Sequence, residues 1–116
     1  MAPARQPRDS IERLIGRPPV EPVESLLSRP VRDRVVLVTG AGGSIGAALC
    51  EQITRAGARR LVLLDRNEFG LYESDRRLGD SVERSVVLGD VRDEQRCAEM
   101  MSREDVQTVF HAAAYK

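Results

Sequence analysis

The chain has 116 residues, the size of one ordinary domain with a hydrophobic core of its own. Its 18 basic and 18 acidic side chains balance, so its charge favours neither a nucleic-acid partner nor an anionic membrane surface. No apolar run is long enough to span a bilayer and the N-terminus lacks the apolar core of a signal peptide, so we expect a cytoplasmic protein without a membrane span.

Residues 1–33 are expected to form an arm or linker ahead of the folded domain, which we assign to residues 34–116. All six prolines fall within the first thirty residues, among many charged side chains. Two short amphipathic pieces, residues 10–15 and 23–27, interrupt this arm. We expect them to pack on the surface of the domain in preference to a partner.

An apolar, β-branched run at residues 34–39 predicts a strand buried on both faces of a parallel sheet. A helix is predicted at residues 44–57, directly after a turn crowded with glycine. Apolar side chains recur along it at the spacing of one helical face; they are Ile45, Ala48, Leu49, Ile53 and Ala56. Gly57 is expected to end the helix.

The turn between this strand and helix predicts a cradle for the pyrophosphate of a dinucleotide. Gly40, Gly43 and Gly46 are placed to permit the tight turn, the close approach of backbone to phosphate, and the close packing of helix on strand. The first two are one residue further apart than in G-x-G-x-x-G. The helix beginning near Ser44 would direct its N–H groups and positive dipole end at the phosphates.

Two other interpretations of this turn are weaker. A mononucleotide P-loop would need Gly-Lys-Ser/Thr at the helix start, whereas Gly46 is followed by two alanines. The glycines could also serve only the conformation of the turn. The dinucleotide interpretation is favoured because a second strand pattern with a suitable acid follows at the expected distance.

That second buried strand is predicted at residues 60–65 and ends in Asp65. Asp65 follows Gly46 by 19 residues, close to the roughly 20 expected of an acid that binds the adenosine ribose. Such an acid repels a 2′-phosphate, whereas the adjacent Arg66 could accommodate that phosphate or simply stay exposed. We therefore expect NAD or NADP as the cofactor, with NAD favoured.

A third buried strand is predicted at residues 84–89, and Asp90 and Val91 follow it directly. Asp90 is placed to accept a hydrogen bond from the exocyclic amine of adenine, and Val91 to cover the ring. The alternative is that Asp90 begins the next helix by capping it.

A fourth strand is predicted at residues 106–112, and its end is marked by small side chains, Ala112, Ala113 and Ala114. Their size would let the backbone come close to the ribose and phosphates of the cofactor, unless they only pack beneath a helix. His111 by itself is expected to be a partly buried structural residue.

Further helices are predicted at residues 68–78 and 93–102, so strands and helices alternate from residue 34 onward. Such alternation indicates an α/β fold, here a partial Rossmann-type doubly wound parallel sheet of about four strands in the order 3-2-1-4. The site is expected at the carboxyl ends of the strands, where this order reverses. The residues expected to bind the cofactor are Gly40, Gly42, Gly43, Ser44, Ile45, Gly46, Asp65, Arg66, Asp90, Val91, Ala112, Ala113 and Ala114.

Cys50 and Cys97 lie far apart in helix patterns and match neither a metal site nor a redox pair. Each is therefore expected to behave as a small buried hydrophobe. The sequence predicts neither a metal site nor a catalytic residue in this chain.

Four motifs, in this order along the chain, are VTGAGGSIG, LVLLDRNEFGLY, LGDVRD and VFHAAAYK. Together they resemble the extended short-chain dehydrogenase/reductases and, within them, the polysaccharide-biosynthesis nucleotide-sugar 4,6-dehydratases. The resemblance implies an enzyme that uses tightly held NAD(P) to oxidise C4 of a UDP-linked amino sugar, eliminate water across C5 and C6, and return the hydride.

The catalytic residues of that family lie beyond the fourth strand, in a Ser/Thr then Tyr-x-x-x-Lys arrangement or a variant of it. The resemblance therefore implies the NAD(P)-binding N-terminal fragment of a nucleotide-sugar 4,6-dehydratase or epimerase of the UDP-N-acetylglucosamine type. A UDP-sugar would be a partner only of a full-length protein, and a homo-oligomer is left open. The alternatives are a free-standing, non-catalytic dinucleotide-binding module and, less favoured, a ketoreductase of the same superfamily.

Overall fold

The apolar run after the arm forms strand β1 (Val35–Thr39) in the computed structural model, which describes residues 29–113. All five residues of β1 are buried. A strand with both faces buried has layers above and below it, which is typical of a parallel sheet in an α/β protein. The strand predicted from this run is therefore confirmed.

Helices and strands alternate along the rest of the described chain. They are α1 (Ser44–Arg55), β2 (Arg60–Asp65), α2 (Glu68–Leu78), β3 (Arg84–Leu88), α3 (Glu94–Arg103) and β4 (Thr108–His111). No boundary differs from the sequence prediction by more than two residues. The α/β fold class is confirmed. Within residues 29–113, no helix combines the length and apolar character that crossing a bilayer would require.

The four strands form one parallel sheet in the order β3-β2-β1-β4. In this register Leu37 of β1 lies between Val62 of β2 and Val109 of β4. The chain moves outward from β1 to β3 and then returns to the other side of β1, so the strand order reverses beside β1. This is the predicted order 3-2-1-4, and it opens a crevice at the carboxyl ends of β1 and β4.

Alternate side chains of the strands pack in two hydrophobic clusters, one on each face of the sheet. On the first face Val38 and Leu63 pack with Ile53 of α1 and Leu71 of α2. On the second face the neighbouring strand positions pack with Met100 of α3. Because side chains alternate across a strand, only a continuous apolar run supplies both clusters.

The buried side of α1 differs from the prediction. Ile45 is 44% exposed and Ala48 is also exposed. The residues that α1 buries are Gly46, Ala47, Leu49, Cys50 and Ile53. The helix approaches the turn most closely where it has no side chain, at Gly46, so the buried side is centred on that residue and Ile45 projects beyond the edge of the sheet.

The prediction that the third strand is buried was wrong. β3 is an edge strand of the described sheet, and its Val86 and Leu88 are 46% and 52% exposed. Val87, which points to the opposite face, packs on the second cluster. Helix α2 covers the inner part of the first face, so the outer part of β3 on that face is left without a layer above it.

The last residues of the predicted arm also pack on the domain. Val31 is fully buried in the first cluster, and the hydroxyl of Thr108 in β4 donates to the carbonyl of Pro30 at 2.6 Å. The two amphipathic pieces predicted at residues 10–15 and 23–27 lie outside the described residues.

An ion pair joins three elements at the amino ends of the strands. Arg60 of β2 donates through Nη1 to Oε1 of Glu104, at 2.7 Å, where α3 ends. Ser85 of β3 donates to the same oxygen at 3.0 Å. The hydrogen bond from Arg60, followed by that from Ser85, lowers the pKa of Glu104.

We expect Glu104→Gln to lower the free energy of unfolding by about 0.5–1 kcal/mol at neutral pH, as for other partly exposed ion pairs. A lowered folded-state pKa adds stability above the pKa of the unfolded chain, near 4.3, and that stability is lost as the pH falls below it. The difference between wild type and variant should therefore shrink at acid pH. Urea unfolding of both proteins at pH 7 and at pH 3.5 measures this difference in the free energy of unfolding. A difference that is the same at the two pH values would contradict a stabilising role for the ionised Glu104.

Candidate functional site

A cavity of about 350 Å³ lies at the carboxyl ends of the strands, where the strand order reverses. Its lining comes from the ends of all four strands and from the start of α1. The lining residues are Gly40, Gly43, Ser44, Ile45, Gly46, Asp65, Arg66, Gly89, Asp90, Val91, Arg92, Ala112 and Ala113. Most residues predicted to bind the cofactor are therefore brought together in one place.

Two of the glycines are required by close backbone contacts. Gly40 has a φ of +69°, and a Cβ there would lie 2.6 Å from the backbone nitrogen of Ala113. A Cβ on Gly46 would lie 2.0 Å from the carbonyl oxygen of Gly40. Neither position can hold a side chain without moving backbone, so these glycines determine how closely the turn approaches β4 and α1.

Gly43 has a different environment. It precedes α1 as the residue that would cap the helix, with φ −83° and ψ 170°, which any residue can adopt. A Cβ there would meet only the carbonyl oxygen of Gly40, at 3.5 Å, an ordinary contact. The space in front of Gly43 is therefore open to a ligand on the cavity side.

The first turn of α1 is suited to an anion. The first N–H groups of a helix have no partner within the helix. No side chain caps α1, and no acidic residue lies in its first turn. These N–H groups, with the positive end of the helix dipole, border the cavity at Ser44 and Ile45. The arrangement can hold a phosphate group without any lysine.

Asp65, at the end of β2, ties the glycine turn to the sheet. Its Oδ2 accepts a hydrogen bond from the N–H of Gly42 at 2.8 Å, and its Oδ1 accepts one from the N–H of Asn67 at 3.0 Å. Each carboxylate oxygen can accept a further hydrogen bond. Asp65 therefore borders the cavity with capacity left for a ribose hydroxyl.

Gly42 was predicted to bind the cofactor, but it does not line the cavity. It faces α2, where a Cβ would lie 2.6 Å from the backbone nitrogen of Leu71. The middle of the turn thus has two sides, with Gly43 directed at the cavity and Gly42 at the neighbouring helix.

Asp90 borders the cavity as a carboxylate paired with arginine. It accepts hydrogen bonds from the backbone N–H of Arg92 at 2.9 Å and from Nη2 of Arg92 at 2.7 Å, and Nη1 of Arg66 lies 3.8 Å from its Oδ2. The side-chain hydrogen bond from Arg92 is the largest cause that lowers the pKa of Asp90 to about 2. Asp90 is therefore ionised throughout the physiological pH range.

The alternative role predicted for Asp90, as the cap of the next helix, is filled by another residue. Asp93 precedes α3, and its side chain accepts from the N–H of Arg96 at 3.2 Å. Val91, between these two acids, borders the cavity and also packs on the second cluster. Asp90 and Val91 are therefore free of the capping function.

The end of β4 forms the opposite wall of the cavity. Ala112 donates its N–H to the carbonyl of Thr39 at 3.0 Å, which extends the sheet to the cavity edge. The hydroxyl of Thr39 and Nδ1 of His111 are 2.6 Å apart, so this histidine has a structural contact within the sheet. Ala113 lines the cavity, whereas Ala114 lies outside the described residues.

Sequence reasoning missed Gly89 and Arg92, which line the cavity, and Asn67, which caps α2. Asn67 carried a recognisable signal, because it directly precedes the predicted helix and asparagine is a preferred N-cap residue. Arg92 carried no such signal, since an isolated arginine in a loop is usually exposed.

The two cysteines lie outside the cavity lining. Cys50 is 1% exposed in the first cluster, as predicted, and burial raises its pKa to about 12. Cys97 is only half-buried beside the second cluster. Between residues 29 and 113, no group of three or more His, Cys, Asp or Glu side chains is placed to hold a metal ion.

Comparison with known sequences places this chain among proteins of polysaccharide synthesis. A sequence model of the family described as "Polysaccharide biosynthesis protein" matches residues 36–116. The capsular polysaccharide biosynthesis protein CapD of Staphylococcus aureus is 37% identical over 110 residues, which cover 91% of this chain and 18% of CapD. A UDP-glucose 4-epimerase of Klebsiella pneumoniae is 34% identical over 87 residues, 70% of this chain and 59% of the epimerase. The chain thus spans about a fifth of the length of CapD.

Comparison with solved structures confirms the Rossmann-type fold. The structure of NAD⁺-bound xylitol dehydrogenase matches with a TM-score of 0.64 and 27% sequence identity, over 75% of this chain and 35% of that one.

Proposed function

Because this chain belongs to the polysaccharide biosynthesis protein family, we propose that its cavity binds NAD(P) as the cofactor-binding part of a nucleotide-sugar 4,6-dehydratase or epimerase. The observation that carries the proposal is the uncapped start of α1 above an open glycine turn, at the edge where the strand order reverses. Ligands of doubly wound sheets bind at this edge. The NAD⁺ bound in the xylitol dehydrogenase structure supports the same cofactor class.

The residues of the cavity fit the parts of a dinucleotide. The N–H groups at Ser44 and Ile45 suit the pyrophosphate, because Gly43 leaves open space in front of them. The free acceptor capacity of Asp65 suits the hydroxyls of the adenosine ribose. Asp90 and Val91, at the end of β3, suit the amine and the ring face of adenine. The bound dinucleotide would supply reversible storage of a hydride.

Ala112 and Ala113 form the wall that we assign to the nicotinamide half of the cofactor. Their small side chains leave the backbone of β4 accessible from the cavity. Gly40 packs directly on this backbone, so the turn and β4 form one continuous surface. No catalytic role is assigned to any residue of this surface.

We propose a UDP-linked sugar as the substrate of the whole protein. The proposal is supported by the family, which is one of polysaccharide biosynthesis, and by the similarity to the Klebsiella UDP-glucose 4-epimerase, whose name specifies a UDP-sugar. A reaction that removes a hydride from a sugar and later returns it to the same sugar needs a cofactor that stays bound between the two steps.

The test is calorimetric titration of the 116-residue chain with NAD, NADP, ADP-ribose and ATP. We expect binding of the dinucleotides and of ADP-ribose, since all three carry the adenosine ribose and the pyrophosphate. ATP, which lacks a second ribose, should bind more weakly. Absence of dinucleotide binding by the folded chain would overturn the proposal.

We favour NAD over NADP because Asp65 places a carboxylate where a 2′-phosphate would lie. Asp65→Asn removes the charge and keeps one oxygen that can accept from Gly42, whereas its amide nitrogen cannot accept from Asn67. That loss affects both cofactors alike, so the ratio of their affinities isolates the effect of the charge. We therefore expect the ratio of NAD to NADP affinity to fall about tenfold, or about 1.4 kcal/mol. Titration with both cofactors measures this ratio.

Arg66→Gln is the matched variant, because it removes the adjacent positive charge and leaves Asp65 in place. It should raise the ratio of NAD to NADP affinity, the opposite direction. A ratio unchanged within about twofold in Asp65→Asn would count against the ribose contact, since a direct charge effect is larger than that.

A further inference from the structure

At its first turn, helix α2 contacts the glycine turn closely through backbone atoms. A Cβ on Gly70, in the first turn of α2, would lie 2.5 Å from the carbonyl oxygen of Gly42. In the reverse direction, a Cβ on Gly42 would lie 2.7 Å from the carbonyl carbon of Gly70. Contact between two glycines lets the helix and the turn approach more closely than any pair with side chains would allow.

A buried hydroxyl joins the same two elements one turn further along α2. Ser74 is 4% exposed, and its Oγ donates to the carbonyl oxygen of Ala41 at 2.6 Å. Ala41 is itself fully buried and directly precedes Gly42. The hydrogen bond therefore holds the turn from the α2 side, at a residue that does not itself line the cavity.

The start of α2 is held by Asp65, which borders the cavity. Asp65 accepts from Gly42 through one oxygen and from Asn67 through the other, and the side chain of Asn67 accepts from the N–H of Gly70 at 3.1 Å. Gly42, Asp65, Asn67 and Gly70 thus form a closed set of contacts around the turn. We call Asn67, Gly70 and Ser74 the α2 clasp.

We propose that the α2 clasp sets the geometry of the glycine turn, and that Gly70 and Ser74 are positioning residues for pyrophosphate binding. The proposal rests on the proposed function of the cavity. The clasp acts through Gly42 and Ala41 and reaches no ligand itself. N–H groups bind an anion most tightly when their directions are already fixed before binding, because no ordering then opposes association.

The first experiment compares two variants of the full 116-residue chain that both weaken the packing of α2. Ser74→Ala removes the hydrogen bond to the turn. Leu78→Val, one helical turn further on, trims a buried side chain of the first cluster and leaves the clasp intact. Dissociation constants for NAD and melting temperatures are measured for both.

We expect Ser74→Ala to raise the dissociation constant for NAD about fivefold or more, well beyond titration error. Leu78→Val should leave the dissociation constant for NAD within about twofold of the wild-type value, even if its melting temperature falls as much as that of Ser74→Ala. Gly70→Ala should behave like Ser74→Ala, although alanine is the better helix former. The inference is overturned if Ser74→Ala binds NAD as wild type does, or if affinity follows melting temperature in all the variants.

A second measurement needs no ligand, so it distinguishes failure of this inference from failure of the proposed function. Amide hydrogen exchange at Gly43 is compared with exchange at Val62, a buried residue of the central sheet that reports global opening. In Ser74→Ala the ratio of the two rates should rise about tenfold, and in Leu78→Val it should not change. An unchanged ratio in Ser74→Ala overturns the clasp whether or not the wild type binds NAD.

Discussion

Gly46→Ala is expected to abolish dinucleotide binding and to destabilise the fold. The added methyl would lie 2.0 Å from the carbonyl oxygen of Gly40 and 2.9 Å from Cα of Ala41, both on the backbone of the turn. Because no flexible side chain can yield, α1 or the turn must shift. Overpacking of this kind costs about 1–3 kcal/mol, or more where backbone is involved. The dissociation constant for NAD should rise at least about a hundredfold, the loss of roughly 2.7 kcal/mol of binding energy.

Gly57→Ala provides the control for this variant. Gly57 has a φ of +97° at the far end of α1, and a Cβ there would meet only Cγ of Arg32, at 3.7 Å. The substitution strains the backbone by about 1–2 kcal/mol but lies away from the cavity. Urea unfolding and titration with NAD should therefore separate the two effects. Gly46→Ala that binds NAD as tightly as Gly57→Ala would contradict the role given to Gly46.

Gly43→Val is expected to abolish binding while leaving the fold intact. The extended conformation of Gly43 suits valine, and a Cβ there meets only one atom, at ordinary contact distance. We expect the free energy of unfolding to stay within about 1 kcal/mol of wild type. The branched side chain would occupy the space in front of the N–H groups of α1, so the dissociation constant for NAD should rise at least about a hundredfold.

Ala48→Val is the matched substitution, since it places the same side chain on an exposed position of α1 outside the cavity lining. It should leave NAD affinity unchanged. Titration of both variants, with unfolding curves to establish that each is folded, tests the prediction. Undiminished affinity in Gly43→Val would remove the glycine turn from the proposed site.

Gly46→Ala and Gly43→Val together test two different roles of glycine in the turn, contact with neighbouring backbone and contact with the ligand. The spacing of Gly40, Gly43 and Gly46 predicted three separate roles, and the contacts agree for the tight turn at Gly40 and for helix packing at Gly46. The role at Gly43 stays a prediction, because it concerns the approach of a phosphate. Spacing along the chain could not show that Gly42 contacts α2, because its partner Gly70 lies 28 residues further along the chain.

Departures from the predicted pattern have one cause in common. Periodicity places apolar residues on a face of a helix or strand, but it does not say how far the next layer extends over that face. Val86 and Leu88 lie in a run typical of a buried strand, yet they are about half exposed because β3 is at the edge of the described sheet. Ile45 similarly projects past the sheet into the cavity.

The sequence by itself determined the order and bounds of the strands and helices, the parallel sheet, and the edge at which the cavity forms. These follow from local patterns, because apolar runs, helical periodicity and glycine positions act over a few neighbouring residues and the handedness of crossovers does the rest. Only the tertiary structure decided which groups meet across that edge. The pairing of Asp90 with Arg92 and Arg66, the double contact of Asp65, and the clasp of Ser74 on Ala41 depend on distances of a few ångströms between separate elements. Such distances are set by how closely backbones and side chains pack, and no spacing along the chain encodes them.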